Sequence, residues 1–273
     1  MDRDPGRARL TAPRILVTND DGIFSEGIER LAAALSEVGD VYTVAPDQER
    51  SAAGHALTLD TPLRAKEVGE KRWSVNGTPT DCVNWGVLHL LRDARPALLY
   101  SGINLGLNLG DDVTYSGTVS AAFEGALLGI PSVAISQEIE RGFTFDAAAG
   151  FAARLARRLL AQALPPKTLV NVNVPAGSVR GARVGRLGTR RYGETVIEKT
   201  DPRGRPYYWI GSTIPVGELE EGTDISAVAE KFISMTPVHL DLTAYQSMKL
   251  LEEIAADLSL REEAPASPAS RER

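Results

Sequence analysis

Four polar segments hold the residue types from which a reaction site could be assembled. They are Thr18-Asn19-Asp20-Asp21-Gly22, the loop from Ala45 to Gly54 (APDQERSAAG), Ser101 to Asp112 (SGINLGLNLGDD), and Val113 to Gly125 (VTYSGTVSAAFEG). Adjacent carboxylates such as Asp20 and Asp21 repel each other unless a cation lies between them or one takes a proton. Asn, Asp and Gly also favour turns for local reasons, so this segment alone leaves a turn and helix cap open. The second segment, which contains Ser51, likewise reads alone as a polar loop with an N-capping serine. In the third, Gly or Asn at every second position packs no core, and close backbone approach to a ligand explains it better. The fourth opens an amphipathic helix with small hydroxyl residues and glycine. Its start is either an ordinary Ser/Thr cap or a place where free N–H groups and the helix dipole hold a phosphate.

Carboxylates, a hydroxyl, side-chain amides and a helix N-terminus form an oxygen-rich set that suits Mg²⁺ or Mn²⁺ better than zinc. A metal beside an anion pocket suits phosphoryl transfer to water. That reaction requires neutralising the phosphate, orienting the attacking water and stabilising the leaving oxygen.

For these segments to meet, the elements between them must place them on one edge. The runs ILV (from Ile15), VYTVA (from Val41), ALLYS (from Ala97), SVAIS (from Ser132) and LVNVNV (from Leu169) have the length and branching of strands. Ile28, Leu31, Ala32 and Leu35 repeat with helical spacing, as do Val119, Ala122, Phe123, Ala126 and Leu127. Further helices are expected near Asp81 to Leu91 and Ala147 to Leu160. Strands alternating with helices predict a Rossmann-like, doubly wound α/β fold with a mostly parallel sheet, whose ligand residues follow the carboxyl ends of the strands. Residues 1–180 are read as this catalytic core and 181–260 as a C-terminal extension. The extension holds a long hairpin over Arg190 to Gly211 turning at Asp201-Pro-Arg-Gly, a strand region in SMTPVHLDLTAY, and a final helix over Ser247 to Leu260. Residues 261–273, rich in Pro, Ala, Ser and mixed charge, read as a disordered tail.

The 273-residue chain is 43% apolar and 24% charged, a globular balance. A net charge of -6 and a pI near 5.3 exclude a broad footprint for duplex nucleic acid. The single cysteine, Cys82, excludes an intrachain disulfide and a cysteine-built zinc site. A charged N-terminus and the lack of a long apolar run lead us to expect a cytoplasmic protein without a membrane segment.

The stretches TNDDG, APDQERSAAGHALT, NGTPTDCV, SGINLGLNLGDDVTYSGTVSAAFEGALLGIPSVAIS and TPVHLDLT span most of Ile15 to Thr243. In this order they resemble successive signatures of the SurE (survival protein E) family. The resemblance implies a Rossmann-like core and divalent-metal-dependent hydrolysis of nucleoside 5′- and 3′-monophosphates, with release of phosphate from short polyphosphate in some members. It implies one Mg²⁺ or Mn²⁺ per subunit on Asp20, Asp21, Ser51 and Asn104, with Asp20 and Asp21 as the catalytic pair. It places the phosphate at Asn108, Ser116, Gly117 and Thr118. It also implies a homodimer or homotetramer joined through exchanged C-terminal arms.

A metal-free nucleotide-binding module would also use the sheet and the anion pocket, but neither GxGxxG nor GxxxxGK[ST] follows a strand here. A phosphatase with a covalent aspartyl-phosphate reads Asp-x-Asp after the first strand, whereas these acids are adjacent. Of the remaining polar residues, His55, close to the ERSAAG loop, either touches substrate or is structural, His89 and Cys82 read as structural, and His239 reads as a packing or interface residue. Asp111 and Asp112 either supplement the metal site or are solvated loop acids, and Arg190-Arg191 reads as a solvated hairpin face.

Overall fold

The computed structural model describes residues 12–162, 164–191, 196–210, 216–217 and 219–258. The expected tail and the ends of the hairpin and final helix, at Gly211 and Leu260, lie outside the described residues. The chain opens with β1 (Arg14–Thr18), α1 (Glu26–Ser36) and β2 (Asp40–Pro46), followed by β3 (Ala65–Gly69), β4 (Arg72–Val75) and α2 (Pro79–Trp85), which continues as a π-helical turn over Gly86–Leu90. Next come β5 (Leu98–Leu105), α3 (Gly117–Leu127), β6 (Ser132–Gln137), α4 (Asp146–Ala161) and β7 (Thr168–Val174). The C-terminal part holds β8 (Ala182–Val184), β9 (Arg190–Arg191), β10 (Val196–Thr200), β11 (Pro206–Ile210), β12 (Val216–Gly217), α5 (Asp224–Ala229), β13 (Ile233–His239) and α6 (Tyr245–Asp257).

The main sheet has the order β3-β4-β2-β1-β5-β6-β7-β13-β8. Its run from β4 to β7 is parallel throughout, with β3 and β13 entering antiparallel to β4 and β7. The strands are branched and apolar because both faces are covered, and successive residues serve opposite cores. Ile15 and Val17 pack with Ile28, Leu31 and Leu35 of α1 and with the alanines of α4. Leu16 turns the other way, toward Cys82 and Val83 of α2 and Val119 and Ala122 of α3. This is the expected doubly wound arrangement. From β1 the chain moves to one side through β2 and to the other through β5, so the topological switch point lies between the carboxyl ends of β1 and β5. The segments TNDDG and SGINLGLN leave the sheet there.

Close approach to this point demands glycine at position 27. A Cβ on Gly27 would sit 2.1 Å from the carbonyl oxygen of Ile103, so α1 rests directly on the backbone leading into Asn104.

The C-terminal arm differs from expectation in its extent. β10 pairs with β11 from Val196↔Ile210 to Thr200↔Pro206, and the hairpin closes at the expected turn. There, Asp201 Oδ1 accepts from the N–H groups of Arg203 (2.8 Å) and Arg205 (2.9 Å). Arg190 and Arg191 are not part of that ladder and pair instead with Gly217 and Val216. Pro237 is tolerated inside β13 because it pairs with Val170 beyond Ile233–Met235, the stretch that β8 covers.

Residues up to Leu240 form one compact unit, and those from Asp241 form a second. Within the second, α6 exposes Met248, Leu250, Leu251 and Ile254. Among the described residues no helix is long and apolar enough to cross a membrane.

Candidate active site

Asp20, Asp21, Ser51, Asn104, Asn108 and Ser116 line one open cleft of about 380 Å³, together with Glu49, Asp112 and Tyr115. Asn19 shapes the NDDG turn, because its amide donates to the Gly22 carbonyl (2.9 Å) and to Ser25 Oγ (2.7 Å). That leaves both aspartates to face the cleft. Asp20 is held from behind by the start of α3. Thr118 Oγ1 donates to Asp20 Oδ1, and a Cβ on Gly117 would lie 2.8 Å from Asp20 Oδ2. Asp21 Oδ2, by contrast, is buried and has no hydrogen-bond partner among the described residues.

An orphaned buried carboxylate oxygen beside a second carboxylate is costly unless something positive meets it. Burial raises the pKa of Asp20, opposed by its bond from Thr118. Burial and then the charge of Asp20 push Asp21 up to about 6. The neutral ligand candidates are turned the right way for a cation. Asn104 Nδ2 donates to the Gly106 carbonyl at 2.9 Å, leaving Oδ1 as the open end of the amide. Ser51 Oγ donates its proton to Glu49 Oε1 at 2.7 Å, which leaves its lone pairs free. Among the described residues no three His, Cys, Asp or Glu side chains gather into a metal cluster. A cation here would therefore rest on two carboxylates and neutral oxygens, a donor set that suits Mg²⁺ or Mn²⁺.

The other side of the cleft presents hydrogen-bond donors. Ser116 caps α3, its Oγ accepting from Val119 N–H at 3.1 Å, and its own proton remains to be donated. Asn108 is fixed by a buried network: its N–H donates to Asn173 Oδ1 (2.7 Å), its carbonyl accepts from Asn171 (2.8 Å) and Asn173 (3.0 Å), and its amide donates to Ser136 Oγ (2.8 Å). That last bond uses one of the two amide hydrogens.

A model of the family described as Survival protein SurE matches residues 15–194. The 5′-nucleotidase SurE of Pelobacter propionicus is 55% identical over 245 residues, covering 87% of this chain and 97% of that one. The 5′-nucleotidase SurE of Syntrophotalea carbinolica is 51% identical over 251 residues, covering 90% and 99%. The crystal structure of the SurE protein from Aquifex aeolicus matches with a TM-score of 0.79 at 41% identity, over 89% of this chain and 100% of that chain. This chain belongs to the SurE family.

Of the eight positions that the SurE resemblance singled out, the structure brings six to the cleft wall. Gly117 and Thr118 stand behind it, against Asp20. Glu49, Asn171 and Asn173 were not among them. The alternating asparagines of LVNVNV were the available signal, since Asn at 0% exposure inside a strand must have buried partners. The reading of Arg190 as a solvated residue is corrected, because it is half-buried and paired with Asp112. Asp112 is accordingly no solvated acid: burial raises its pKa, the Arg190 charge opposes this, and its Oδ1 has no partner among the described residues. Asp111 remains exposed and accepts from Arg190 N–H at 3.1 Å. Cys82 is fully buried in the core of α2, which pushes its thiol well up and leaves it unreactive. His89 is exposed, with its ring against Trp85. His239 ends β13 opposite Thr168.

The raised carboxylates give a pH dependence of definite sign. Without a cation the native state keeps the Asp21 proton up to about pH 6, whereas the unfolded chain releases it near 3.8. Between these values the native state binds more protons, so this group's contribution to stability falls as pH rises. The chelated protein should lose thermal stability from pH 5 to pH 7 more steeply than chelated Asp21→Asn. Parallel curves for the two proteins in melts across that range would contradict the assignment.

Proposed function

We propose that this protein is a divalent-metal-dependent phosphomonoesterase that hydrolyses nucleoside 5′-monophosphates, and 3′-monophosphates, to nucleoside and phosphate. The carrying observation is Asp21 Oδ2, buried without a hydrogen-bond partner among the described residues beside the second carboxylate of Asp20, in the same cleft as the capped start of α3. The relatives named 5′-nucleotidase SurE support the substrate class. Asp20, Asp21, Ser51 and Asn104 would hold one Mg²⁺ or Mn²⁺ per subunit. When bound, such an ion neutralises phosphate charge and lowers the pKa of water. The chain's own residues do the rest. Ser116 Oγ–H, the spare Asn108 amide hydrogen and the Gly117 N–H at the start of α3 would orient the phosphoryl group. Asp20 is locked by Thr118, so the pair is preorganised before substrate arrives. A metal-free binding module is the weaker reading, since two carboxylates would repel an unaccompanied phosphate.

Phosphate release from a panel of 5′- and 3′-nucleotides and short polyphosphate should vanish in excess chelator and return with Mg²⁺ or Mn²⁺. Full nucleotide hydrolysis by protein shown to be metal-free would overturn the reading.

The arm supports a second proposal, that the protein is a homodimer or homotetramer. Tyr208 is 57% and Trp209 is 62% exposed in the single chain, apolar area that a projecting arm does not leave in water. Light scattering at micromolar concentration should give two or four times the single-chain mass of 29.3 kDa. A monomer would refute the assembly and leave the hydrolase reading standing.

A further inference from the structure

The segment from Ser51 to Leu63 has no helix or strand, yet it carries one of the four proposed cation ligands. No backbone ladder runs along it: backbone bonds hold only its first residues, with Ala53 N–H donating to the Arg50 carbonyl at 3.3 Å, and side chains hold the rest. At its start the Arg50 N–H donates to the Asp20 carbonyl at 2.7 Å. The backbone then bends through two left-handed residues, Ala52 (φ 56°) and Gly54 (φ 56°).

Beyond the bend the segment meets two buried carboxylates that the proposed chemistry does not use. Glu124 lies on α3, about two turns along from Ser116, and is 9% exposed. Its Oε2 is 2.8 Å from His55 Nε2, and its Oε1 accepts from Asn84 Nδ2 of α2 at 2.9 Å. The His55 ring also lies against Phe123 of the same helix. Asp81, on α2, is 2% exposed and holds Thr58 through its N–H (3.0 Å) and its hydroxyl (2.6 Å), while Thr78 Oγ1 donates to the Ala56 carbonyl at 2.7 Å. A buried carboxylate is tolerated only when such bonds are made, so each acid fixes the segment in one place.

The two ties differ in what they reference. Asp81 anchors the far part of the segment to α2. Glu124 anchors its near part, four residues from Ser51, to α3, the helix that caps itself with Ser116 and backs Asp20 through Thr118. One rigid helix thereby sets the phosphate donor, one cation carboxylate and the strap that carries Ser51.

We infer that His55 is a positioning residue: through Glu124 it holds Ser51 in register with Asp20 and Asp21, so that the cation meets a preset hydroxyl. The inference rests on the reading of the cleft as a divalent-cation site. Removing a group bonded directly to a metal ligand weakens metal binding by roughly 10- to 100-fold; His55 acts one step further out, through four residues of backbone, so a loss at the lower end of that range, about 10-fold, is expected.

The test is calorimetric titration of Mn²⁺ into metal-free full-length protein, with nucleotide turnover measured separately at saturating Mn²⁺. His55→Ala should weaken Mn²⁺ binding within that range while turnover at saturating Mn²⁺ stays within a few-fold of wild type. His55→Gln, whose amide reaches toward Glu124, should restore most of the affinity. Combined with Ser51→Ala, His55→Ala should add nothing, because it acts through the hydroxyl already removed. Glu124→Ala, which removes the tie from the other side, serves as the second route and should weaken Mn²⁺ binding in the same direction. Wild-type Mn²⁺ affinity in His55→Ala or in Glu124→Ala, or independent additive losses in the double variant, would overturn the inference and leave the cation site intact. A wild-type protein that takes up no Mn²⁺ would overturn the cation reading and this inference with it.

Discussion

Asp20→Asn and Asp21→Asn are each expected to lower nucleotide turnover at limiting metal by more than about 100-fold, because changing a partner one shell further out already costs roughly 10- to 100-fold. The fold should survive. Asparagine has nearly the same shape, and Oδ1 of the amide can still accept the Thr118 hydroxyl that now reaches Asp20. In chelator the two variants should be at least as thermally stable as wild type at neutral pH, since each removes one of two buried charges whose pKa values are both raised. Opposite signs for activity and metal-free stability are the mark of carboxylates kept for a cation. Loss of both activity and folding would point to a structural turn instead. Wild-type turnover at limiting Mn²⁺ would remove that aspartate from the ligand set.

Much of this arrangement was legible because local and global signals coincide at the strand ends. The runs at Ile15, Ala97 and Ser132 are apolar on both faces, so only a covered parallel sheet accommodates them, and the polar segments after the first two must then lie at its carboxyl edge. Asp20, Asp21, Asn104 and Asn108 follow from that step, with the SurE signatures supplying their roles. Other features were hidden because they depend on distant contacts. β3 is exposed along most of its length and has no alternation to distinguish it from a loop. Arg190 looked solvated because nothing near it in sequence shows that Asp112, 78 residues earlier, closes over it. Glu124 and His55 are 69 positions apart, and each alone is an ordinary polar residue. The SurE resemblance placed Thr118 at the phosphate, and nothing near it in sequence shows that its hydroxyl donates to Asp20, 98 residues earlier.

That geometry sharpens the proposed division of the cleft into a cation half and a phosphate half. Ser116 Oγ accepts from Val119 N–H and keeps a proton for the substrate, so Ser116→Ala removes both a cap and a donor. Loss of the cap should cost about 1 kcal/mol of stability. Loss of a hydrogen bond to a charged group is worth about 1.5–3 kcal/mol, which corresponds to roughly 10- to 200-fold in turnover. Ser116→Gly separates the two, because glycine at a cap costs only a few tenths of a kcal/mol while the missing donor costs the same in catalysis. Both variants should bind Mn²⁺ as wild type does, since no cation ligand has changed. Asn104→Ala should behave in the converse way, raising the Mn²⁺ concentration for half-maximal activity and recovering much of its turnover when Mn²⁺ saturates. Mn²⁺ titrations at saturating nucleotide, paired with calorimetry on the metal-free proteins, distinguish the classes. If Ser116→Gly and Asn104→Ala shift the metal requirement equally and lose the same turnover, the cleft has no such division, and Ser116 belongs with the groups that set the cation's place.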